Sequence, residues 1–263
     1  MPAPVQLPRI SWGNPDANST ALLVHGLGSS AALMWRLGDA LANAGWHAVA
    51  ADLRGHGDAP RALDYTVGAY AADLAALSPA RGGAWDAVIG HSLGGAASTV
   101  AAASDPHWTS RLVLIDPAIL VDGKNASIVR RSQERAFADN RIEVVREEHP
   151  HWHPQELELK VDAVVRASRW AVEQTSAQNQ PWDVRADAAM LTVPTHIIGA
   201  DPEVYSLFTG QVADGVLSTN ENISMSIVAG AGHSPHRDEP DETIRQLLEA
   251  LSCDVLSDRR ESK

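Results

Sequence analysis

Residues 85–103 read Trp-Asp-Ala-Val-Ile-Gly-His-Ser-Leu-Gly-Gly-Ala-Ala-Ser-Thr-Val-Ala-Ala-Ala: an apolar strand, a serine with glycines two positions to either side, then an alanine-rich helix. A strand that turns at once into a helix forces the corner residue into a strained backbone, and only small neighbours fit beside it. Gly90 and Gly94 remove the Cβ atoms that would collide at that crossing, and the helix beginning near Leu93 aims its first N–H groups at any negative charge beside Ser92. A strand, Gly-x-Ser-x-Gly and a helix in this order form a nucleophile elbow. The pattern nominates Ser92 as a catalytic nucleophile and demands an α/β arrangement around it.

The rest of the chain supplies that arrangement. Short apolar runs at 21–24, 48–51, 87–89, 112–115, 196–198 and 223–228 alternate with helix-length stretches at 31–44, 67–77, 93–103 and 239–251. Six strands with long crossovers predict a mainly parallel, twisted sheet with helices on both faces. The spacing breaks once, where about eighty residues separate the run ending at Ile115 from the next strand, too many for a loop. An inserted helical cap over 118–190 fits, with helices at 127–148 and 154–177 separated by Pro150 and Pro154. The α/β core is then expected over 1–117 and 191–256, with a disordered tail at 257–263.

Ligands of open α/β sheets bind beyond the carboxyl ends of the strands, so the loop after each strand is where chemistry is expected. After the first run comes Gly26-Leu27-Gly28-Ser29, a turn whose backbone can point inward. The N–H groups of Leu27 and Leu93 are the expected oxyanion donors, each worth roughly 3 kcal/mol to a tetrahedral intermediate. The last strand ends in Gly230-Ala231-Gly232-His233-Ser234-Pro235-His236. His233, directly after the glycines, is the expected general base, ahead of His236 at what reads as a helix entry. The base needs a carboxylate to orient it. Asp201 ranks first, then Asp116, then Glu203; Asp116 precedes Pro117 and reads as a turn-starting residue at the entrance of the insertion. Adopting Asp201 gives the chain order Ser92, Asp201, His233.

Through His25-Gly26, Asp52-Leu-Arg-Gly-His-Gly57, Gly90-His-Ser-Leu-Gly94 and Gly232-His233 the chain resembles the α/β-hydrolase superfamily along nearly its whole length. The resemblance implies that fold and a serine-dependent, cofactor-independent hydrolase. It also implies that Asp52, Arg54 and His56 shape a loop and take no part in catalysis. Many relatives carry the acid three residues after the glycine of its strand. Here Asp201 lies two after Gly199 with Pro202 in the usual place, which keeps Glu203 in play. Serine at the elbow points away from dehalogenases and epoxide hydrolases and toward esterases and lactonases. Thioesterase, amidase, C–C hydrolase and haloperoxidase chemistry, or a receptor that binds without turnover, are the alternatives.

Composition narrows the partners. The 263 residues carry 21 basic and 33 acidic side chains, a net charge of −12, which disfavours nucleic acid and anionic membranes. A small-molecule substrate is expected, and a homodimer is compatible with the sequence. No run approaches a membrane span, and the first residues lack a secretory pattern, so a cytoplasmic location is expected. Cys253, the single cysteine, reads as a packing residue. Glu147-Glu-His-Pro-His-Trp-His153 concentrates possible metal ligands, yet a solvated loop is the better reading, and neither metal nor cofactor is expected. Trp35, Trp152, Trp170 and Trp182 are candidate pocket walls.

Overall fold

The computed structural model describes residues 2–252, so the readings of Cys253 and of the tail at 257–263 lie outside the described residues. In chain order the first half runs β1 (Arg9–Trp12), β2 (Ser19–Val24), a 3-10 turn (Ala31–Met34), α1 (Trp35–Asn43), β3 (Trp46–Ala51), α2 (Val67–Ala75), β4 (Ala87–His91), α3 (Leu93–Ser104) and β5 (Leu112–Ile115). The segment that follows holds β6 (Leu120–Val121), α4 (Gly123–Ala138), α5 (Ile142–Glu148), α6 (Pro154–Arg166), α7 (Arg169–Gln178), β7 (Trp182–Asp183) and α8 (Arg185–Ala189). The chain closes with β8 (Thr195–Gly199), α9 (Gly210–Thr219), β9 (Ile223–Ile227), α10 (Pro235–Asp238) and α11 (Pro240–Ser252).

Seven strands form one sheet in the order β1-β3-β2-β4-β5-β8-β9. All six expected strands are present and pair in parallel, and β1 adds an antiparallel edge on β3. Strand periodicity divides the core in two. Leu22, Val24, Val88, Leu112, Leu114 and Ile197 face a layer formed with α2, α3, α8 and α9. Their alternating neighbours Ala21, Leu23, Ala87, Ile89, Val113 and Ile198 face α1 and α11 on the opposite side. With both faces covered, the central strands read as continuous apolar runs rather than as alternation.

The inserted segment carries more breaks than its periodicity suggests. The helix expected over 127–148 is split between α4 and α5, because Asp139 turns extended and its carboxylate accepts from the backbone N–H of Arg141. The helix expected over 154–177 is split at Ala167, after which the Ser168 hydroxyl caps α7 by accepting from the N–H of Ala171 at 3.3 Å. The break at 149–153 lies where the prolines indicate. α7 is fastened to the sheet half of the chain. The backbone N–H groups of Tyr65 and Val67 donate to the side chains of Gln178 (2.7 Å) and Asn179 (2.8 Å), and Tyr70 shares a hydrogen bond with Thr175 at 2.7 Å. Among the described residues no helix is long and apolar enough to cross a membrane.

Candidate active site

The elbow is built as its residue types require. Ser92 has φ 53° and ψ −116°, a conformation an L residue holds only when its surroundings enforce it. A Cβ on Gly90 would come 2.7 Å from the carbonyl oxygen of Gly94, and one on Gly94 would overlap the carbonyl oxygen of Val24. Ser92 is also pinned through its backbone, its N–H donating to the carbonyl of Ile115 at 3.1 Å and its own carbonyl accepting from Ala96 at 3.0 Å.

The loop after β9 brings His233 onto this serine. Its Nε2 lies 2.9 Å from Ser92 Oγ, and its Nδ1 lies 2.6 Å from Asp116 Oδ2. Because a carboxylate only accepts, Nδ1 carries the proton and Nε2 is free to accept from the serine hydroxyl. The imidazole is further placed by its neighbours. His91 Nε2 donates to the carbonyl of His233 at 2.8 Å, and burial holds the pKa of that ring well below its ordinary value.

The carboxylate on His233 belongs to Asp116, and the first-ranked Asp201 is elsewhere. Asp116 has φ 36° and is fully buried, so it is no ordinary turn residue. Its oxygens accept from Ser206 Oγ (2.6 Å), Leu207 N–H (3.0 Å) and Phe208 N–H (3.1 Å), all in the loop after β8, in addition to His233. Burial alone pushes the carboxyl up, but the bond and charge of His233 together with those of Ser206 and Leu207 hold it below its usual value. Asp201 instead accepts from the N–H groups of Gly230 (2.7 Å) and Glu203 (2.9 Å), while its own N–H donates to Ala231 O at 2.9 Å. It therefore staples the loop after β8 to the loop that carries His233, and Glu203 is exposed. The register explains the substitution of one acid for the other. His91 pairs with Ile115, so the residue just past β5 stands beside the residue just past β4. The sequence carries both aspartates one or two residues past a strand; what it hides is that β5 is the neighbour of β4.

The Gly26–Ser29 loop is held by two buried histidines. His25 Nε2 accepts from Leu53 N–H at 3.0 Å while its Nδ1 donates to Gly26 O at 2.8 Å. His56 Nε2 accepts from Gly28 N–H at 3.1 Å while its Nδ1 donates to Arg54 O at 3.0 Å. Both must stay neutral to do so, and burial lowers the His25 pKa to about 4 and that of His56 to about 3. With the Gly28 N–H used by His56, the neighbouring Leu27 N–H remains as the expected inward donor. Asp52 ties the same region down by accepting from Ala31 N–H at 2.8 Å and Asp58 N–H at 3.0 Å. Arg54 makes a two-pronged, buried ion pair with Asp73 at 2.6 and 2.7 Å.

Two cavities meet at Ser92. A narrow apolar one of about 30 Å³ is walled by Leu27, Leu93, Val129, Trp182 and Leu207. A wide one of about 1070 Å³ includes His233, Trp152, Tyr205, Lys160 and Arg237 on its walls. Of the four candidate tryptophans, Trp152 and Trp182 thus border the site. Trp35 does not, packing against His153 with ring centroids 5.6 Å apart. Nor does Trp170, which is 45% exposed and lies edge-on to Tyr65 on the outer side. His236 is buried against the His91 ring, 4.7 Å between centroids, and makes no hydrogen bond among the described residues. In the stretch 147–153, His149 stacks on Trp152 at 3.7 Å and His153 caps α6, and among the described residues no cluster of three or more ligating side chains is arranged to hold a metal. Sequence reasoning missed Ser206, His91 and Lys160, whose parts depend on loop packing rather than on any local pattern.

A family model described as the alpha/beta hydrolase family matches residues 21–246, the whole stretch from β2 into α11. The chain belongs to the alpha/beta hydrolase family. In sequence it is 37% identical over 109 residues to lipase LipV of Mycobacterium tuberculosis, a match spanning 41% of each chain. Among solved structures it is similar to an N-formylmaleamic acid deformylase from Pseudomonas putida S16, with a TM-score of 0.77 and 25% identity over 91% of this chain and 94% of that one. It superposes on an E-2-(acetamidomethylene)succinate hydrolase with a TM-score of 0.81 at 21% identity, covering 94% and 95%. That last likeness is one of fold.

Proposed function

We propose that this alpha/beta hydrolase is a serine hydrolase that cleaves a carboxylic ester or lactone of a small molecule through an acyl-enzyme on Ser92. The observation that carries the reading is the unbroken hydrogen-bonded chain from Ser92 Oγ through His233 to Asp116, at 2.9 and 2.6 Å. Ser92 Oγ attacks the carbonyl carbon as His233 Nε2 takes its proton. Asp116 holds the ring in the tautomer that can accept and offsets the charge of the imidazolium. The N–H groups of Leu27 and Leu93 receive the oxyanion. His233 returns the proton to the leaving oxygen. Water activated by the same ring then attacks the acyl carbonyl and frees Ser92. The segment inserted between β5 and β8 acts as a cap: its α4 and β7 contribute Val129 and Trp182 to the narrow cavity, which suits a short apolar group, while the wide cavity takes the rest of the substrate. Replacing Ser92 with alanine is expected to lower the turnover of 4-nitrophenyl acetate by about 10⁴-fold or more, with the melting temperature unchanged. Undiminished turnover by that variant overturns the assignment.

A further inference from the structure

The wide cavity contains a cation that the hydrolytic steps do not use. Lys160 projects from α6 to the Gly26–Ser29 loop and donates one hydrogen bond, to the carbonyl of Gly28 at 3.1 Å. Among the described residues it makes no ion pair with a carboxylate, so two of its three N–H donors have no protein acceptor there. Three carboxylates in its surroundings are already engaged by other groups. Glu156, fully buried, lies 3.5 Å from Arg36 and 3.7 Å from Arg237, whose Nη2 also donates to Ser29 Oγ at 3.1 Å. Asp238 receives the Trp152 indole N–H at 2.7 Å and the Gly232 N–H at 2.9 Å. Glu148, at the end of α5, faces Arg135 of α4 at 3.6 Å. Burial pulls the Lys160 pKa down to about 8, Arg237 adds to that and Glu148 opposes it. A half-buried ammonium on the cavity wall, with donors to spare, is in want of an anion. It also shares the cavity with Ser92 and His233.

We infer that Lys160 is a specificity-determining residue that binds a carboxylate carried by the part of the substrate seated in the wide cavity, so that the preferred esters are monoanionic. The inference rests on the ester-cleaving reading of Ser92 for the word ester, though not for the binding itself. One oxygen of the carboxylate accepts from the free Lys160 donors, while the ammonium keeps its bond to Gly28.

Two probe pairs place the charge on either half of the ester: 4-acetoxybenzoate beside its methyl ester, and mono-4-nitrophenyl succinate beside 4-nitrophenyl butyrate. Lys160→Gln keeps an N–H donor for Gly28 and removes the charge; Lys160→Met removes both. Binding is measured by calorimetry in a Ser92→Ala background, which spares the probes, and kcat/KM is measured with Ser92 intact. The expected result is a 10- to 100-fold loss of affinity and of kcat/KM for the anionic member of at least one pair in both Lys160 variants, with the neutral partner within threefold of the parent. Equal losses for charged and neutral probes would make Lys160 a brace of the loop and overturn the subsite. So would unchanged values throughout, or failure of both anionic probes to bind the parent. Loss of all turnover in the protein with Ser92 intact, while Lys160-dependent binding persists, would count against the serine hydrolase reading alone.

Discussion

Replacing Asp116 with asparagine tests the acid assignment at the point where sequence and structure part. The side chain is nearly isosteric, so packing is preserved and only charge and hydrogen-bond polarity change. Every group facing the carboxylate is a donor: Leu207 N–H and His233 Nδ1–H on one oxygen, Ser206 O–H and Phe208 N–H on the other. An amide NH₂ directed at His233 forces the ring into the opposite tautomer, with the proton on Nε2, where it can no longer accept from Ser92. Directed the other way, it opposes the Phe208 N–H and still leaves the imidazolium without a counter-charge. The expected loss in kcat is about 10³- to 10⁴-fold, corresponding to about 4 to 5.5 kcal/mol of transition-state stabilisation. Asp201→Asn is the matched comparison, since that carboxylate touches only backbone N–H groups of two loops; its kcat should fall less than about tenfold. Both are assayed by initial rates on 4-nitrophenyl acetate, with circular dichroism to verify folding. A folded Asp116→Asn enzyme retaining more than a tenth of the parent kcat, or an Asp201→Asn enzyme equally impaired, would refute the reasoning.

Stability should fall on mild acidification, because His25 and His56 are neutral in the fold with pKa values of about 4 and 3, whereas the unfolded chain protonates near 6.5. Each then costs about 1.4 kcal/mol per pH unit below 6.5, so between pH 7 and 5 the pair removes about 4 kcal/mol and roughly 10 °C of melting temperature, read by scanning calorimetry; a flat profile over that range contradicts the burial of these rings as neutral groups. Asp73→Ala leaves the Arg54 guanidinium buried without its carboxylate and should destabilise the fold by about 3 to 5 kcal/mol in urea unfolding, a loss under 1 kcal/mol being incompatible with the ion pair described.

Much of this architecture was legible because its causes are local. Period and length gave the six parallel strands, and the strained Gly-x-Ser-x-Gly corner gave Ser92. A glycine-rich strand end pointed to His233, which the structure sets against that serine. What was not legible depends on which elements become neighbours. The edge strand β1 is only four residues long, too short for its alternation to stand out, and exists through its pairing with β3. The breaks inside the inserted helices follow from capping side chains at Asp139 and Ser168, each of which also reads as an ordinary surface residue. In the sequence Asp201 ranks ahead of Asp116, and only the adjacency of β4 and β5 places Asp116 beside His233 while Asp201 joins two loops.

The central claim is that Ser92 is a nucleophile activated by His233, and a serine-reactive fluorophosphonate tests it directly. Incubation followed by peptide mass spectrometry should find one covalent adduct per chain, on Ser92, formed in step with the loss of ester hydrolysis and slowed by orders of magnitude in a His233→Ala variant. An adduct on another residue, or an unlabelled and unreactive Ser92 in a protein that still hydrolyses ester, would contradict it.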